Sequence, residues 1–266
     1  MSDLENLIQA VCKSSRYDQI DRGLIAWIGK EELRKRKSLK EAVKSTRSRL
    51  HQAAGAYREK KINFPALEKE MMELEPSLQN EGLKAFCREA MQTHASTQER
   101  LPILESFFDQ ILAEIQPVGS ILDIACGLNP LTLPWIPVSG NIEYFACDIY
   151  TDMINFLNNF FSFTLVSGEA KLCDITQHIP QQPVQLALLL KAIPCLEHLD
   201  KQIAYRLLDS LKAEHILISY PVQSLGGHSK GMIQHYDNQF EDIISGKSWK
   251  IQRFEFSTEL AFLISR

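Results

Sequence analysis

Ser120-Ile121-Leu122-Asp123-Ile124-Ala125-Cys126-Gly127-Leu128-Asn129-Pro130 decides the fold. An apolar run ends in an acid, a small residue and a glycine. That is how a buried parallel strand hands over to a ligand-binding loop. Glycine lets the backbone approach a ligand where a Cβ would stand in the way. A dinucleotide-binding loop would read G-x-G-x-x-G and aim a helix N-terminus at a pyrophosphate. Here a single glycine is followed by Leu128-Asn129-Pro130. The loop suits a ligand with no phosphates to cradle, and S-adenosylmethionine is the common one of that kind.

Outward from this loop, the chain beyond Pro117 alternates strand and helix. The pattern predicts strands at Ser120–Ile124, Glu143–Cys147, Ala170–Cys173, Val184–Leu190, His215–Ser219, Lys250–Phe256 and Leu260–Ser265. Helices fit between most of them, at Asp152–Phe161 and Leu199–Lys212 among others. The first five strands read as parallel and buried, and the last two as an antiparallel pair. This is the plan of an α/β, Rossmann-like class I methyltransferase. Upstream, residues 1–92 read as helices. Ser38 and Glu41 match a capping box opening a helix to about Tyr57, and Ser96 with Glu99 matches a second one. The expected division is a helical domain over 1–92 and a Rossmann-like domain over 93–266.

Charge follows that division. The chain carries a net charge of -4, yet residues 1–100 hold 19 basic and 15 acidic side chains. Lys30 to Lys61 alone holds 12 basic and 4 acidic ones. Lys40, Lys44 and Arg47 recur at i, i+4, i+7, a row of long cations that can follow successive phosphates. The segment fits either a polyanionic partner or a well-solvated helical surface. The six cysteines form no C-x-x-C pair and read as reduced, packed thiols of a cytoplasmic protein, with no metal expected. The N-terminus lacks the apolar core of a signal peptide, and no apolar run is long enough to span a bilayer.

In a doubly wound sheet the ligand lies beyond the carboxyl ends of the strands. Asp148 ends the second strand, where a carboxylate can accept both hydroxyls of a ribose. Asp174 ends the third and can accept an adenine amino group. Asp123 and Gly127 border the methionine end. Arg100 offers the bidentate fork that a carboxylate needs, or lies on an exposed helix face. His94 could contact the cofactor or cap the turn. Lys191 closes the fourth strand beside the place of methyl transfer. The stretch Ser219–Met232, with three glycines and Lys230, reads as a substrate loop or a plain connection. The Asn/Asp-Pro-Pro-Tyr/Phe motif of amino-group methylases is missing, since Lys191-Ala192-Ile193-Pro194 stands there. Pro194-Cys195 matches the cytosine C5 methylase nucleophile over two residues only.

These residues bring the chain into a known pattern. It resembles the aminoglycoside-resistance 16S rRNA (guanine-1405-N7) methyltransferases, the Arm/Rmt/Sgm/Kgm type, over nearly its whole length. The resemblance is carried by Arg49-Leu50-His51-Gln52 with Gly55-Ala56-Tyr57, and by His94-Ala95-Ser96-Thr97 with Glu99-Arg100-Leu101. It continues in Cys126-Gly127-Leu128-Asn129-Pro130, Leu188-Leu189-Leu190-Lys191, and Ser229-Lys230-Gly231-Met232. It implies a helical domain that docks on the assembled 30S subunit. It implies a cofactor site of His94, Ala95, Ser96, Arg100, Gly127, Asp148, Asp174, Ile175 and Leu190, with Tyr57 reaching in. It implies Lys191 and Met232 against the target guanine, and a protein acting as a monomer. Two places depart from the family: Met232 is followed by Ile233-Gln234 rather than Glu, and Ser257-Thr258-Glu259 replaces Gly-Asn-Glu. The rival readings are a methyltransferase with another target and a ribosome-binding protein without catalysis.

Overall fold

A computed structural model describes residues 2–55, 61–223 and 230–266 of the chain. Five helices come first: α1 (Asp3–Cys12), α2 (Arg22–Lys35), α3 (Leu39–Leu50), α4 (Phe64–Met71) and α5 (Glu81–Met91). The short α6 (Ala95–Arg100) and α7 (Leu104–Leu112) lead into the sheet. The strands are β1 (Val118–Ile124), β2 (Val138–Asp148), β3 (Ser167–Leu172), β4 (Val184–Leu190), β5 (Ala213–Pro221), β6 (Lys250–Glu255) and β7 (Glu259–Ser265). Between them lie α8 (Thr151–Thr164), α9 (Ile193–Leu196), α10 (Ile203–Ser210) and α11 (Met232–Ile244).

The strand order is β3-β2-β1-β4-β5-β7-β6. β1 to β5 run parallel, and β7 inserts antiparallel between β5 and β6. Every strand expected from the sequence is present. The order reverses between β1 and β4, which opens a crevice beyond their carboxyl ends.

Alternation along each strand splits the core in two. Ile121, Leu186, Leu188 and Leu217 join the cluster that also takes Leu7, Ile25, Phe86 and Phe108 from the helices upstream. Leu122, Ala187, Leu189 and Ile218 face the other way, onto Leu207 of α10 and Phe240 of α11. The N-terminal helices therefore share a core with one face of the sheet. The backbone ties them to the site as well. Asp21 N–H donates to Ile149 O at 2.8 Å, Thr151 N–H donates to Gln19 O at 2.8 Å, and Ile20 bridges Tyr150. These bonds hold the start of α2 against the end of β2, next to Asp148.

Three local expectations are corrected. The helix from Ser38 stops being α-helical at Leu50 and continues as one π-turn, His51–Gly55. The Ser96/Glu99 capping box does not form: His94 is the N-cap of α6, and Glu99 turns elsewhere. The helix expected over Leu199–Lys212 is shortened to α10.

Candidate active site

A cleft lies beyond the carboxyl ends of β1, β2 and β4, where a doubly wound sheet holds its ligand. His94, Ser96, Gly127, Asp148, Asp174, Ile175, Leu190 and Lys191 line it. Leu24 of α2 and Ala53 of the π-turn reach it from the N-terminal helices. Tyr57, four residues past Ala53, lies outside the described residues.

The glycine loop forms one wall. Ala125 and Gly127 both take left-handed backbone angles, φ 52° and 53°. The His94 ring covers Gly127 so closely that a Cβ there would sit 2.7 Å from its Cε1. Asp148 holds the loop from below, accepting Gly127 N–H at 2.9 Å and Ile149 N–H at 2.6 Å. Across the cleft, Asp174 Oδ1 accepts the N–H of Thr176 at 2.9 Å and its hydroxyl at 2.6 Å. Its Oδ2 is shut off from water and has no hydrogen-bond partner. A buried carboxylate oxygen in that state calls for a donor. The exocyclic amine of an adenine supplies one, so the residues fit an adenosyl ligand.

Behind Lys191 on the opposite wall lies a charged cluster that the sequence does not announce. Glu259, at the start of β7, accepts a hydrogen bond from Arg100 Nη2 at Oε2, 3.0 Å, and its Oε1 stands 2.9 Å from Arg100 Nε as a charge contact without hydrogen-bond geometry. Ser219 Oγ donates to Oε2 at 2.8 Å, and Lys191 Nζ stands 3.2 Å from Oε1. The Lys191 ammonium makes its shorter contact, 2.8 Å, with Glu99. Arg100 also donates to Asn129 Oδ1 at 2.8 Å. Burial pushes the Glu259 carboxyl up, but Arg100 and Lys191 outweigh it and hold the group below its ordinary value. Lys191 leaves β4 with φ 56°, its N–H bonded to Ser219 O, which turns its side chain into this cluster.

Several sequence expectations change here. Arg100 is not among the cleft-lining residues; its guanidinium is committed to Glu259 and Asn129 behind the wall. Asp123 likewise faces inward, accepting Asn129 Nδ2 at 2.9 Å and Tyr144 OH at 2.7 Å. Burial raises it to about 7. Ala95 opens α6 and does not line the cleft. Met232 begins α11 after Gly231 (φ 78°) and packs against the second core cluster, outside the cleft lining. Lys230 is exposed, and residues 224–229 of its loop are outside the described ones. Lys40 and Lys44 are exposed on α3, whereas Arg47 is turned onto the last carbonyls of α1, those of Ala10 and Val11. Glu259 and Glu99 were missed. The available signal was an acid standing directly before the unbroken apolar run Leu260–Ile264.

Comparisons with known proteins agree with this geometry. A family model described as ribosomal RNA methyltransferase (FmrO) matches residues 13–263. The 16S rRNA (guanine(1405)-N(7))-methyltransferase of Micromonospora echinospora is 32% identical, over 99% of this chain and 97% of its own. That of Serratia marcescens is 30% identical over 99% of both. The crystal structure of the 16S rRNA methyltransferase RmtF in complex with S-adenosyl-L-homocysteine superposes with a TM-score of 0.84. It is 28% identical and covers 100% of this chain and 99% of RmtF.

Proposed function

The chain belongs to the ribosomal RNA methyltransferase (FmrO) family, and from that premise we propose that it methylates N7 of guanine 1405 in 16S rRNA. S-adenosylmethionine supplies an electrophilic methyl group when bound. The single observation that carries the reading is the cleft itself: a glycine loop under His94, faced by Asp174, whose buried Oδ2 has no hydrogen-bond partner. Asp148, Asp174, Ile175 and Leu190 would hold the nucleoside, with His94 and Ser96 beside it. The modified guanine would confer aminoglycoside resistance.

Guanine N7 has an exposed lone pair and no proton to lose, so the transfer needs no general base. S-adenosylmethionine held by these residues would supply the methyl group to that lone pair. The protein contributes by positioning and by holding a base turned out of its helix. Lys191 would steer the base from the cleft wall, and Met232 at the head of α11 would pack on it. The assembled 30S subunit is the substrate, met through residues 1–92, with Lys40, Lys44 and Lys230 near phosphates. The enzyme would act as a cytoplasmic monomer, and no helix among the described residues is long and apolar enough to cross a membrane.

The test is to incubate 30S subunits with the protein and S-adenosylmethionine, cleave the rRNA with borohydride and aniline, and run primer extension. A stop at guanine 1405 is expected. A stop elsewhere would make the chain a methyltransferase with another target. No stop would leave a binding protein.

A further inference from the structure

We propose that Glu99 is a positioning residue that neutralises and aims the Lys191 ammonium, so that no net positive charge opposes the guanine as it becomes cationic. The inference rests on the guanine-N7 reading of the site. N7 methylation moves a positive charge from the sulfur of the methyl donor onto the base. A bare ammonium in the same cleft would raise the barrier to that change. The charged wall is arranged to avoid this.

Two cations and two carboxylates make up the cluster, of which Lys191 lines the cleft. Glu259 Oε2 accepts from Arg100 and Ser219, whereas its Oε1 has no hydrogen bond and meets Arg100 Nε at 2.9 Å and Lys191 at 3.2 Å as charge contacts only. The compensating partner of Lys191 is therefore Glu99, at 2.8 Å. Glu99 sits on α6 three residues after Ser96, on the same helix face, and Ser96 lines the cleft. The side chains of Arg100, Lys191 and Glu259 are 0–1% exposed, whereas that of Glu99 is 31% exposed. Glu99 is thus where the buried cluster meets the open side. Its neighbour in sequence, Arg100, serves Glu259, so one short helix delivers a charge to each end of the wall.

The test compares E99Q, E99D, K191M and E99Q/K191M on whole 30S subunits. Three quantities are read: kcat and KM for 30S, S-adenosylmethionine affinity by calorimetry, and thermal melting. E99Q is expected to lower kcat by roughly tenfold, the factor that one modest charge contact is worth. Cofactor affinity should stay at the wild-type level. KM for the polyanionic 30S should not rise, since the change adds net positive charge. E99D keeps the carboxylate and should recover most of the loss. In the K191M background, Glu99→Gln should change neither residual turnover nor melting, because its partner is gone. Wild-type kcat in E99Q overturns the proposal. So do E99Q and K191M effects that multiply, or a melting loss from E99Q that persists in K191M. The melting arm does not depend on turnover. A wild-type protein that leaves guanine 1405 unmodified fails the functional reading instead, and the two failures are told apart by that control.

Discussion

The two walls of the cleft handle charge in opposite ways. On the nucleoside side, Asp174 keeps a buried oxygen open and Asp148 spends its carboxylate on backbone N–H groups. On the methyl-transfer side, Arg100, Lys191, Glu99 and Glu259 match one another in charge. The first wall is built to be completed by a neutral ligand rich in hydrogen-bond donors. The second is built to stay balanced while a charge appears next to it. Substitutions on the two walls should therefore fail differently, the first in binding and the second in folding or turnover.

The sharpest break is Glu259→Gln. It leaves Arg100 and Lys191 buried with Glu99 as their remaining carboxylate. Losing one partner of a buried ion pair costs about 3–5 kcal/mol. Denaturant unfolding should show a loss of that order, and growth at a lower temperature should be needed to recover folded protein. A stability within about 1 kcal/mol of wild type would mean that the second wall is not held by charge matching.

The first wall should answer in affinity alone. In Asp174→Asn, the backbone N–H of Thr176 requires an acceptor where Oδ1 stands, so the new amide nitrogen falls where Oδ2 was. A donor then faces the adenine amine. Losing a hydrogen bond to a charged group costs about 1.5–3 kcal/mol, or roughly ten- to a hundredfold in cofactor affinity. Turnover at saturating S-adenosylmethionine should stay near wild type. Gly127→Ala should weaken the cofactor too, because its Cβ would meet the His94 ring at 2.7 Å from a backbone at φ 53°. A kcat defect with normal affinity in Asp174→Asn would erase the distinction between the walls.

The same contrast explains what could be read from the sequence. All seven strands were legible because burial imposes unbroken apolar runs bounded by turn residues. Asp148 and Asp174 were legible because strand ends are adjacent positions in a doubly wound sheet. The second wall was not legible, since Arg100 and Glu259 lie 159 residues apart and meet only when β7 inserts beside β5. Arg100 was read as a ligand-binding cation because its internal partner could not be seen. Arg47 was misread on α3 for a related reason: periodicity places it in the row of Lys40 and Lys44, but not against α1. This too can be tested. Lys40→Glu with Lys44→Glu should flatten the salt dependence of 30S binding by about 0.7–0.9 per lost phosphate contact, without touching the fold. Arg47→Ala should leave that slope alone and cost about 1 kcal/mol of stability, the worth of a hydrogen bond at a helix end. If Arg47→Ala flattens the slope as well, its side chain leaves α1 when the ribosome binds.

The smallest effect compares two carboxylates that lie behind the cleft. Asp123 and Glu259 are both fully buried carboxylates, but neutral donors hold one and cations hold the other. Burial raises Asp123 to about 7, against the opposing pull of Asn129, Tyr144 and Arg100. An unfolded aspartate ionises near ~3.9. The folded chain thus keeps this proton across the window in which the unfolded chain releases it. The resulting stabilisation is full below ~3.9 and is lost as pH rises through about 7. Glu259, held below its ordinary value by Arg100 and Lys191, has the opposite sign: its contribution is present at neutral pH and is lost on acidification. Asp123→Asn removes the first titration and keeps the size of the side chain. The melting temperature of wild type minus that of Asp123→Asn should therefore fall from pH 5 and level off above about pH 7. A flat difference would mean that Asp123 keeps one protonation state throughout. Asn129, which bonds both Arg100 and Asp123, would then carry the charge balance of the second wall one residue deeper than its salt bridges reach.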